Sequence, residues 1–219
     1  PCVDAARAPG PARLTAMLQS LLALAHPLLV PAFAAWGVGV TWIEVVAFAV
    51  SLWMVGCEMR VHPLAWPLAM LSSLLYALLF ADSKLYGEAS LQVFFVAMSL
   101  WGWWQWLRGR GADGGELVVH RLSRRTALVA GGLAVLAWPL LAWLLMRLTD
   151  SSVPWLDALP TAGSVLGTWL LGRKFIESWW AWIAVNAFSG VLFGDKQLWL
   201  TVILYARFTA LSGAGLRSW

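Results

Sequence analysis

Apolar runs of about 20 residues recur along this chain, the length an α-helix needs to cross roughly 30 Å of hydrocarbon. In that medium every backbone N–H and C=O must be paired inside the protein, so only helices and closed barrels can span it. The weak alternating pattern of a membrane β-barrel is absent from the sequence, which leaves an all-α integral membrane protein. Composition agrees, because 61% apolar and 12% charged residues depart far from soluble averages of roughly 45–50% and 25%.

Seven core spans are expected at about 38–58, 63–82, 86–107, 126–148, 155–172, 175–194 and 198–217. Ahead of them, residues 1–13 read as a Pro/Gly/Ala-rich tail without structure, and the missing initiating Met as a sign of trimming. Residues 14–36 read as one further helix, interfacial or spanning, broken by Pro27 and Pro31 and carrying Gln19 and His26. The domains are then a triplet at 38–107, a basic loop at 108–125, a linker helix at 126–149 and a second triplet at 154–219. The loop reads RGRGADGGELVVHRLSRR. It lacks GxxxxGK[ST] and a preceding strand, so a flexible basic linker is expected there and not a phosphate loop.

With that loop inside, one side holds Arg60, Arg108, Arg110, Arg121, Arg124, Arg125, Arg173, Lys174 and Arg217, against Lys84, Arg147 and Lys196 on the other. This bias predicts a cytoplasmic C-terminus. It also accounts for the net charge of +4 without a nucleic-acid partner.

The two triplets align on each other. Laying Trp42–Trp106 over Trp155–Trp219 at an offset of 113 residues needs no gap and gives fifteen identities, among them Arg60/Arg173, Trp66/Trp179, Asp82/Asp195, Gly102/Gly215 and Trp106/Trp219. Chance would give roughly six in so biased a composition, and the matches include rare residue types. An odd linker helix makes both triplets run the same way through the bilayer. They are therefore expected as parallel 3+1+3 repeats, related by an axis along the membrane normal and enclosing a pathway.

Helical periodicity nominates the walls of that pathway. Trp179, Trp182, Asn186 and Ser189 lie at i, i+3, i+7 and i+10, one stripe of two indoles, an amide and a hydroxyl. The offset maps it onto Trp66, Ala69, Ser73 and Tyr76. A second stripe, Glu88, Gln92, Phe95 and Ser99, maps onto Thr201, Tyr205, Phe208 and Ser212. Gln92, Tyr205, Ser73 and Asn186 fall near mid-span, where polar groups are costly unless they pair with each other or a ligand. Trp53 and Ser51, with Ser164, are expected to complete the walls. The alternative is that Trp179 and Trp182 are packing aromatics and Asn186 bonds a neighbouring helix.

Chemistry other than binding finds no support. Cys2, Cys57 and the dispersed His26, His62 and His120 offer no disulfide framework or metal spacing. No cofactor is expected, and no Ser/His/Asp set, HExxH or paired buried carboxylates suggests an enzyme. Arg207 lies about 200° around its helix from Tyr205 and is expected to face away, in a structural role. Glu44 and Asp157 read as helix-start carboxylates, or as charges that draw a cation to the mouth. Pro63, Pro67, Pro154 and Pro160 sit where helix-end hinges would.

The run ESWWAWIAVN (Glu177–Asn186), the helix LQVFFVAMSLWGWWQW (Leu91–Trp106) and the three-plus-one-plus-three layout resemble the PnuC nicotinamide riboside transporters, over about residues 38–219. That family is related in fold to the SWEET sugar transporters and their half-size bacterial relatives. The resemblance implies facilitated, non-concentrative uptake of nicotinamide riboside across the bacterial inner membrane, with trapping by cytoplasmic phosphorylation. It also implies a homotrimer among membrane lipid. The segment before residue 36 carries little of the family pattern.

The stripes suit such a ligand. An indole such as Trp182 can hold a pyridinium by stacking and cation–π attraction, on the order of 1–2 kcal/mol when desolvated. Asn186 and Gln92 can pair with a carboxamide or ribose hydroxyls, and a site without an Arg clamp should reject a phosphate. Glu88 has Thr201 as its repeat mate and no second buried acid, which favours uniport over proton symport. By physics alone, thiamine, riboflavin or a sugar would also suit a Trp/Asn/Gln cavity, and a packed, non-transporting scaffold is the remaining rival.

Overall fold

Helices of membrane-spanning length make up most of the chain. The computed structural model describes residues 10–35, 38–82, 86–111, 114–148, 153–195 and 199–219. In chain order these form α1 (Gly10–Leu29), β1 (Pro31–Ala35), β2 (Val38–Thr41), α2 (Trp42–Met59), α3 (Ala65–Asp82), α4 (Tyr86–Arg108), α5 (Arg124–Leu148), α6 (Pro154–Gly172), α7 (Ser178–Asp195) and α8 (Trp199–Ser218). Among the described residues, α2, α3 and α5 are both long and apolar enough to cross a membrane on their own. The remaining helices of the two expected triplets are equally long but carry more Gly, Ser, Thr, Asn and Gln.

Packing follows the sequence order. α3 lies between α2 and α4, and α7 between α6 and α8. The two groups meet where α4 packs on α6 and α2 on α8, while α5 lies against α6. Helix ends have local causes. Thr41 and Glu44 form a capping box, the Glu44 Oε2 accepting the Thr41 N–H at 2.7 Å and the Thr41 hydroxyl at 2.8 Å. Pro154 opens α6 at its first turn, where a missing N–H costs nothing. α2 and α6 end at Arg60 and Arg173, each followed by a residue in the left-handed region, Val61 at φ 54° and Lys174 at φ 55°.

Two expectations are revised. The N-terminal helix runs over Gly10–Leu29, not 14–36, and the chain then turns back as an antiparallel ribbon, Phe33 opposite Val40 and Ala35 opposite Val38. Pro31 lacks the N–H that a continuing helix would need, which explains the break. The loop of residues 108–125, expected to be a flexible linker, is pinned wherever it is described. The backbones of Arg110 and Glu116 pair antiparallel, and His120 pairs with the α6–α7 turn, its N–H donating to the Lys174 carbonyl at 3.1 Å while Ile176 N–H donates to the His120 carbonyl at 3.1 Å. Leu122 N–H donates to the Glu177 carboxylate at 2.9 Å, and the Lys174 ammonium to the Leu117 carbonyl at 2.9 Å. Burial holds that amine below its ordinary pKa, a shift that Glu116 partly opposes.

Candidate functional site

The polar residues of α7 and α8 converge, because both helices present small or hydroxyl side chains to one another. Asn186, 8% exposed, donates from Nδ2 to Ser212 Oγ at 3.4 Å, and Ser212 in turn donates to the Phe208 carbonyl at 2.8 Å. One turn further along α7 is the buried Ser189, and a Cβ on the adjacent Gly190 would stand 3.6 Å from the Tyr205 Cβ of α8. Phe208 meets Phe48 of α2 edge-on, with ring centroids 6.3 Å apart. Three helices, α2, α7 and α8, therefore contribute to one aromatic and hydroxyl-rich cluster.

Trp182, one turn before Asn186, lies against α6. A Cβ at Gly167 would stand 3.2 Å from its ring, a few tenths of an ångström tighter than ordinary contact, so the glycine lets the indole lie close against α6. Its Nε1–H is buried and has no acceptor among the described residues. A buried donor without a partner costs roughly 1–3 kcal/mol, a penalty that a ligand oxygen would remove. On the other half, Ser51 of α2 bonds the Ser72 hydroxyl at 2.7 Å and donates to the Ala47 carbonyl at 2.8 Å. Ser72, next to the nominated Ser73, is the serine of α3 that turns toward α2; the stripe overlooked it because its mate is Val185. Ser73, Gln92 and Phe95 are half-buried, and Phe95 packs edge-on with Phe94 at 5.9 Å.

Two nominated tryptophans stand apart from this cluster. Trp53 is 61% exposed on the outer face of α2, where its period places it beyond the reach of α8. Trp179 is 1% exposed and packed against Trp219, edge-on at 5.5 Å and 90°. A Cβ on Gly215 would overlap the Trp179 ring. The same construction recurs 113 positions earlier, with Trp66 edge-on to Trp106 at 5.6 Å and against Gly102. The two outer indoles then cross over: Trp106 Nε1 donates to the Leu171 carbonyl at 3.0 Å and Trp219 Nε1 to the Glu58 carbonyl at 3.0 Å. Each bond ties the end of one group of helices to the other. The side chains of Glu88 and Thr201 lie outside the described residues. Arg207 is exposed, away from the cluster, and no group of three His, Cys, Asp or Glu residues converges among the described residues.

Comparison with known proteins bears on this arrangement. The family model described as nicotinamide mononucleotide transporter matches residues 41–219. The nicotinamide riboside transporter PnuC of Escherichia coli is 24% identical over 207 residues, covering 84% of this chain and 87% of that protein. The riboflavin/roseoflavin transporter RibM of Streptomyces davaonensis is 28% identical over 191 residues, covering 82% and 85%. A crystal structure of the vitamin B3 transporter PnuC superposes with a TM-score of 0.68 at 21% identity, covering 93% of this chain and 87% of that one, a likeness of fold.

Proposed function

Because the chain belongs to the nicotinamide mononucleotide transporter family, that of the PnuC vitamin transporters, we propose that it imports nicotinamide riboside by facilitated diffusion across the bacterial inner membrane. The observation that carries this reading is the Trp182–Asn186–Ser212 line, an indole with a spare buried N–H one turn from a buried amide. Trp182 would stack on the pyridinium and offer its N–H to an oxygen, while Asn186, now paired only at 3.4 Å, would exchange Ser212 for the carboxamide or a ribose hydroxyl. Tyr205 and Ser189 would bound the ribose side, with Gln92 and Ser73 facing them. Among the described residues the cluster carries no guanidinium or ammonium group, so a phosphate would shed its hydration without compensation, and the mononucleotide should be excluded.

Alternating access would be a rocking of α2–α4 against α6–α8 as parallel repeats. Supporting this are the left-handed residues Val61 and Lys174, the Trp–Gly contacts and the crossed indole bonds, all of which recur at the offset of 113 residues. Transport would be uniport, driven by the riboside gradient and sustained by phosphorylation inside the cell. The nine-to-three basic bias supports a cytoplasmic C-terminus. We assign a homotrimeric assembly on family resemblance.

Riboflavin is the second reading, favoured by the 28% identity to a riboflavin transporter. Binding of nicotinamide riboside, nicotinamide mononucleotide, thiamine, riboflavin and glucose to the purified protein, beside Trp182→Ala and Asn186→Ala, separates the cases. Riboside binding lost in both variants supports the proposal. Riboflavin binding in its place moves the substrate, and no binding at all leaves a scaffold.

A further inference from the structure

A cavity of about 490 Å³ opens between α4, α5 and α6, on the side away from the α7–α8 cluster. Its walls are Met98, Ala130, Leu133, Ala137, Leu141 and Trp169, and Thr126, at the α5 N-terminal end, is the one hydroxyl residue among the described residues that line it. On α5 the lining residues recur at helical spacing, with alanines forming the floor. From Thr126 to Leu141 the groove follows about 22 Å of helix at 1.5 Å per residue. One leaflet of hydrocarbon is roughly 15 Å deep, so the groove can take a whole acyl chain.

Charge marks the Thr126 end. Arg121, Arg124 and Arg125 are all exposed there. Glu177, the acid beside them, already accepts the Leu122 N–H at 2.9 Å. Ser123 caps α5, its Oγ accepting the Thr126 N–H at 3.2 Å, so the arginine side chains supply the positive charge. Basic groups at the mouth of an apolar cleft between membrane helices match an anionic headgroup on an acyl chain.

We propose that this groove binds one anionic phospholipid, its acyl chain lying along α5 between Met98 and Trp169 and its phosphate held by Arg121, Arg124 and Arg125. The test uses the purified full chain in detergent, titrated with phosphatidylglycerol or phosphatidylcholine carrying brominated acyl chains. Trp169 lines the groove, so the quenching lost in Trp169→Phe reports occupancy of this site among the other tryptophans.

Phosphatidylglycerol should bind about tenfold tighter than phosphatidylcholine, a preference set by the arginines. In Arg124→Gln/Arg125→Gln that ratio should fall below twofold, and Ala134→Leu, which fills the groove, should abolish Trp169 quenching by both lipids. Equal quenching by the two lipids in the wild type would overturn the proposal in favour of ordinary boundary lipid. Absence of Trp169-dependent quenching would overturn it too. If Ala134→Leu then also lowers the particle mass in light scattering, a second copy of the chain is the occupant.

Discussion

Gly215→Ala tests the packing that buries Trp179 against the end of α8. A Cβ at this position would overlap the Trp179 ring, which is 1% exposed and already packed edge-on against Trp219 at 5.5 Å. Trp219 is itself anchored through its indole N–H to the Glu58 carbonyl at 3.0 Å. Replacing Gly by Ala inside a helix gains roughly 1 kcal/mol of helix propensity. Against that gain, overpacking costs about 1–3 kcal/mol, and displacing Trp219 takes its indole N–H off the Glu58 carbonyl at about 1 kcal/mol more. The larger values apply where no neighbour can yield, so the net loss should be about 3 kcal/mol, or roughly 6–12 °C for a chain of this size. Gly213→Ala, two residues away in the same helix, meets nothing within 4 Å and should melt at or slightly above wild type. Thermal unfolding of both variants in one detergent, followed by intrinsic fluorescence, makes the comparison. If Gly215→Ala melts no lower than Gly213→Ala, the ring is not clamped and Trp179 returns as a ligand wall.

Trp182→Ala should weaken riboside binding about tenfold while Trp182→Phe recovers part of the loss, since a phenyl ring still stacks but attracts a cation less and lacks the N–H. Calorimetry reads both, and Trp53→Ala, which removes a side chain 61% exposed, should bind as wild type does. Initial-rate uptake should be equal with a protonophore and with its vehicle; a collapse would reject uniport. The Lys174 amine is held below its ordinary 10.5 by burial, so between that lowered value and 10.5 the unfolded chain binds more protons than the folded one. Stability should therefore rise with pH across that window, and melting curves of Lys174→Met should lose the rise.

The helical, membrane-embedded class was legible from the apolar runs alone, because a hydrocarbon solvent leaves a chain few choices of backbone structure. Helix positions followed closely: the spans expected at 63–82 and 175–194 correspond to α3 (Ala65–Asp82) and α7 (Ser178–Asp195). The Thr41–Glu44 capping box was also present in the sequence as T-x-x-E, although the spacing of apolar residues drew the helix start at residue 38 instead. The family resemblance rested on rare residues, Trp, Asn and Gln, in a fixed order.

Tertiary structure decided which side of a stripe is occupied. Trp179 and Trp182 are three residues apart and share one helical face, and no local rule distinguishes them. What separates them is distant sequence, because Gly215 and Trp219 close over Trp179 at the end of α8 while Gly167 of α6 makes room beside Trp182. Trp53, expected with Ser51 and Ser164 to complete the walls, is exposed because α2 turns Ser51, and not Trp53, toward α3. The basic loop reads as a linker by composition, yet it is held by backbone bonds to Lys174 and Ile176, and backbone groups leave no trace in side-chain pattern. Periodicity orders residues around one helix, and only the neighbours brought in from elsewhere in the chain determine which of those residues are left free to meet a ligand.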